Sequence, residues 1–98
     1  MTVSTEDRRR AGRLVAMHYR LDPAAVVMVG AIAARGQCGG ANPSAEERAE
    51  LLALAGTSDG FERFVEAATS RAVQFASARW KMIQVAAERL AAEKPVSA

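Results

Sequence analysis

Ninety-eight residues, half of them hydrophobic but only 5% aromatic, suffice for one domain with a modest core and leave no room for a second. A formal net charge of +2 is too small to imply a nucleic-acid partner from the total alone, and a lone cysteine, Cys38, excludes an intrachain disulfide and fits a reducing cytoplasm. The polar start MTVSTEDRRR carries no leader-like apolar core and no apolar stretch reaches the ~18 residues of a membrane span, so the expectation is a soluble cytoplasmic protein, bacterial-like in its Ala- and Arg-rich composition.

The apolar content is mostly Ala, Val and Leu, and no alternating stretch bounded by turn residues occurs. The expected fold class is therefore all-α, a single helical-bundle domain over residues 1–98 with four helices at about 5–20, 23–35, 44–55 and 59–94. Ser4 or Thr5 caps the first helix, with Glu6 and Asp7 set against its positive end. Its apolar stripe reads Ala11, Leu14, Val15, His18 and Leu21, with Met17 at the edge, and Arg9, Arg10, Arg13 and Arg20 mostly fall away from it. This first segment is the basic one: residues 1–20 carry +3, against −2 for 21–57 and +1 for 58–98.

Asp22 and Pro23 restart the chain as N-cap and first helical residue. The helix that follows is apolar on every side from Ala24 to Ala34, which places it in the centre of the bundle. Gly30 and Ala34, four apart, favour a close helix neighbour. RGQCGGANP is a loop. Ser44 and Glu47 then form a capping box for a short helix carrying Leu51, Leu52, Leu54 and Ala55 inside a face of exposed acids, Glu46, Glu47 and Glu50, before Gly56 ends it. Asp59 and Glu62 repeat the capping pattern for the last helix.

From Phe61 to Lys94 there is neither Gly nor Pro. As one helix this stretch would run roughly 51 Å, against a radius of gyration of about 13 Å for a compact chain of this length, so it should overhang the bundle and need a second surface. A stripe of period near 3.6 joins Phe61, Val65, Ala68, Ala72, Phe75, Arg79, Ile83, Ala86 and Leu90, which favours bundle packing over a long supercoil. A second apolar set, Val73, Ala76, Trp80, Ala87 and Ala91, widens the face. A kink near Ser70 or Ser77 that folds the helix back is the competing expectation, although neither residue is a strong breaker.

His18 has no second histidine and only Asp22 near it in sequence, so it forms neither a metal site nor a catalytic triad, and a partly buried structural histidine is expected. Cys38 follows a helix C-terminus, where nothing favours a thiolate, and GQCGG lacks the order of a phosphate loop. The carboxylates do not pair in an apolar cleft. No enzyme, cofactor or metal is therefore expected. The reading is a small protein-binding module, an adaptor, subunit or inhibitor, that forms a homodimer or docks on a larger protein through the C-terminal helix. Phe75, Arg79, Trp80 and Ile83 are its expected contact residues. The alternative is a nucleic-acid-associated regulator with Arg9, Arg10 and Arg13 on phosphates, although a solvated face paired with Glu6 and Asp7 explains the same arginines.

Overall fold

A computed structural model describes residues 2–37 and 41–93; the expectation on Cys38 lies outside them. Among the described residues all regular structure is helical: α1 Thr5–His18, α2 Pro23–Arg35, α3 Ala45–Ala55, α4 Phe61–Ala78 and α5 Trp80–Glu93. The all-α class stands, and the expected count of four helices is corrected to five. The long last helix bends at Arg79.

Local chemistry sets most of the ends. Ser4 caps α1 by accepting from the Asp7 N–H while the Asp7 carboxylate accepts from Ser4 N–H, a complete capping box. Asp22 accepts from the Ala25 N–H ahead of Pro23, and Ser44 and Glu47 cap each other. α1 ends two residues earlier than the periodicity suggests because Arg20 takes a left-handed conformation, φ 59. The Leu21 N–H then reaches the Ala16 carbonyl and the Arg20 N–H reaches Met17. That is a Schellman ending built without its usual glycine. The expected Asp59 cap is not formed: α4 starts at Phe61 after Gly60, with no side-chain cap.

α1 and α2 make the central antiparallel hairpin, with α4 laid on α2 and α5 on α1. The hairpin closes through Gly12, where a Cβ would stand 2.8 Å from both the Val29 carbonyl oxygen and the Ala33 Cβ. This close approach decides which face of α1 goes inside. Ala11, Gly12, Val15 and Ala16 are buried, whereas Leu14 and His18, both assigned to the apolar stripe, are exposed. The helix is turned by about one position from the hydrophobic stripe because small residues, not large ones, meet α2. α2 itself is buried from Val27 to Ala33, as its uniform composition requires.

At Arg79, φ −124 and ψ 25 leave the helical region. Its N–H is shared between the Phe75 and Ala76 carbonyls, and the next backbone bond across the bend runs from the Ile83 N–H to the Arg79 carbonyl. The N–H groups of Trp80, Lys81 and Met82 thus give up the carbonyls four residues earlier, a loss of about 0.5–1.5 kcal/mol each at most. In return Ile83 and Ala87 are buried and Trp80 and Leu90 pack on the core, and burying an Ile side chain alone stabilises by about 1.5–3 kcal/mol. Burial wins. One apolar stripe thereby covers two helices, α4 on α2 and α5 on α1, and the radius of gyration is 13.6 Å with a longest extent of 49 Å. The bend lays both halves of the expected long helix on the chain, but the longest extent stays close to the roughly 51 Å of that helix unbroken, so the molecule remains elongated.

Candidate functional site

The four residues expected to contact a partner cluster at and just beyond the bend, but they turn mostly inward. Phe75 is 8% exposed and Ile83 2%, both held in the core. Trp80 is half-buried and packs against it. Arg79 lies over two rings of its own chain, with its guanidinium carbon 4.3 Å from the Tyr19 centroid and 4.8 Å from that of Phe75. Tyr19 meets Phe75 edge-on at 5.7 Å. The directional group anticipated for a partner is thus spent on pinning the bend to the end of α1. Beside Trp80 a cleft of about 160 Å³ is lined by Val3, Arg8, Gly36 and Gln84, the size of a single aromatic ring.

The outward side of α5 is apolar as well. Met82 is 44% and Val85 39% exposed, and with Ala86 they form a shallow apolar surface between Lys81 and Arg89. Spacings of three and four residues put 82, 85, 86 and 89 on one face. Met82 and Val85 belong to neither apolar set read from the sequence, and choosing which side faced the core required knowing where α1 lay.

The basic face of α1 is met by α3. Glu47, assigned to an exposed acidic face, is only 2% exposed. Its Oε1 accepts from the Ser44 N–H, while Oε2 lies 3.2 Å from Arg9 Nε and 3.6 Å from an Arg13 terminal nitrogen. Those ion pairs are not aligned as hydrogen bonds: Arg9 Nε, Arg13 Nε and Glu47 Oε2 are buried without a hydrogen-bond partner, so charge, not geometry, holds them. Arg9 also pairs with Glu6. Arg13 grips Glu50 in a two-pronged contact at 2.9 and 3.2 Å. That hydrogen bonding holds the Glu50 carboxyl below its ordinary range and raises Arg13 further into its charged form. Arg71 grips Asp22 the same way, both bonds 2.9 Å, lowering Asp22.

Of the three arginines assigned to phosphates, Arg9 and Arg13 therefore already face carboxylates, and Arg10 is exposed with no ion pair among the described residues. Neither expectation for this run, a solvated face or a phosphate surface, anticipated an ionic seam between helices. His18 is exposed and stands edge-on to Tyr19 at 5.3 Å, which corrects its expected partial burial. Among the described residues, no group of three His, Cys, Asp or Glu could hold a metal ion, and no helix is long and apolar enough to cross a membrane.

No family model, curated protein or solved structure matches this chain. The functional reading rests on the surface itself.

Proposed function

We propose that the chain is a small protein-binding module that associates through the outward face of α5, with a second copy of itself as the first partner. The observation that carries this reading is the exposure of Met82 and Val85 on one side of α5 while Ile83 and Ala87 on the other are buried. A helix already packed on α1 keeps a second apolar face, and such a face edged by Lys81 and Arg89 has the make-up of an interface centre with a charged rim. Phe75 and Ile83 support the contact from behind by fixing the helix in place. The nucleic-acid reading has less support, because Arg9 and Arg13 would have to leave Glu47 and Glu50 before reaching a phosphate.

Light scattering after size exclusion tests the proposal. A mass near twice 10.4 kDa that survives high salt, and falls toward the monomer for Met82→Glu and Val85→Glu, is the expected result. A monomer at the same concentration, or a dimer indifferent to both substitutions, would sink the outward face as the contact.

A further inference from the structure

α4 and α5 are continuous in sequence and separate in structure. No Gly or Pro lies between Phe61 and Glu93, and the bend rests on the single non-helical residue Arg79. α5 packs on α1 and touches α4 little, so what holds the bend closed is the fit of α5 on α1 and the stacking of Arg79 on Tyr19 and Phe75. A helix interrupted without a breaker keeps a straight alternative within reach.

We propose that two copies of this chain exchange α5: the bend at Arg79 straightens, α4 and α5 become one helix, and each α5 packs on the α1 of the other copy. The occupant follows from the contacts. Lifting α5 exposes Ile83 and Ala87 together with the surface of α1 they cover, so a straightened monomer is disfavoured. The one surface known to complement that face is α1 of the same sequence, and every α1–α5 contact can re-form between copies. The straight helix also gives the N–H groups of Trp80, Lys81 and Met82 the carbonyls they lack across the bend. Against this stand the lost freedom of two molecules and the lost stacking of Arg79, so exchange depends on concentration. The proposal rests on the self-association reading alone and replaces its interface, because exchange leaves Met82 and Val85 uncovered.

The test combines mass with an intrachain distance. Spin labels at Ser70 and Ala92, with Cys38→Ser, sit twenty-two residues apart, about 33 Å along a straight helix and closer across the bend. Doubly labelled protein diluted into unlabelled protein is refolded at high concentration and measured as separated monomer and dimer. The dimer is expected to show the straight-helix distance and the monomer a shorter one. Arg79→Ala, which removes the stacking and favours helix, should tighten dimerisation roughly tenfold. Two glycines inserted after Arg79 should yield monomer. A dimer that survives Val85→Glu with the long distance supports exchange. A dimer with the monomer's distance that falls apart on Val85→Glu overturns exchange and keeps the outward-face contact, and monomer under every condition overturns both.

Discussion

Gly12→Ala should destabilise the protein more than Gly30→Ala, the same exchange on the facing helix. A Cβ at residue 12 would stand 2.8 Å from the Val29 carbonyl oxygen and the Ala33 Cβ and 3.2 Å from the Gly30 Cα. All three belong to the backbone or its first side-chain atom, so relief requires moving α1 away from α2. Overpacking of this kind costs about 1–3 kcal/mol, against roughly 0.8–1.0 kcal/mol gained in helix propensity, leaving a net loss of up to about 2 kcal/mol. At residue 30 the new Cβ meets Arg13 Cγ at 2.7 Å and Nε at 3.1 Å and the Arg9 carbonyl oxygen at 3.2 Å, so one side chain must turn aside and the backbone yield only slightly. The propensity gain offsets much of that and of the disturbed Arg13–Glu50 pair, worth about 0.2–1 kcal/mol at such exposure, so the loss should be smaller than at residue 12. Thermal melts followed by circular dichroism decide the matter, since each 1 kcal/mol displaces Tm by about 4–8 °C in a domain of this size. Equal melting of both variants, or a larger loss for Gly30→Ala, would refute the placement of the helix crossing at Gly12.

Glu47→Ala removes a helix cap and leaves Arg9 and Arg13 facing each other without their shared carboxylate; a loss of about 2–3 kcal/mol is expected, below the ~3–5 of a fully enclosed pair because both guanidinium groups reach water, and urea titration measures it. Trp80→Ala should lower stability by about 2–3 kcal/mol, less than the 3–5 of a wholly buried aromatic, and an unchanged melt would release Trp80 from the core. Asp22 and Glu50 are held below their ordinary values by arginine hydrogen bonds. Their contribution is therefore present above the usual carboxylate range and lost as pH falls through the depressed folded-state values. Each is worth no more than about 1 kcal/mol at such exposure, and Arg71→Ala should flatten its share of the acid limb in stability-against-pH curves.

What could be read without coordinates was whatever a few neighbouring residues decide. Asp22 with Pro23 and Ser44 with Glu47 announced helix starts because capping is a contact over three residues. The buried run of α2 was equally plain from its composition. Three features were not local. Arg20 ends α1 in a conformation usually given to glycine, so no residue type signalled it. The face of α1 was misjudged because large apolar side chains were weighted above Gly12 and Ala16, whose value lies in letting another backbone come near. The bend at Arg79 has no breaker, and it exists because two surfaces, α2 and α1, compete for one stripe. Of the expected contact residues, Phe75 and Ile83 are buried inside the chain, and Met82 and Val85 are the exposed large apolar residues of α5.

The attachment of α3 has a consequence for anything negatively charged that approaches α1. Only Glu47 and Leu51 of that helix are buried, so its hold on the rest leans on carboxylates facing Arg9 and Arg13. Added salt weakens the outer pairs first, and hydrogen exchange in α3 should quicken before the α1–α2 hairpin notices. A polyanion and α3 are then rivals for the same two guanidinium groups. For any anion that reached these groups, apparent affinity would be the intrinsic one scaled by the fraction of molecules in which α3 has already let go.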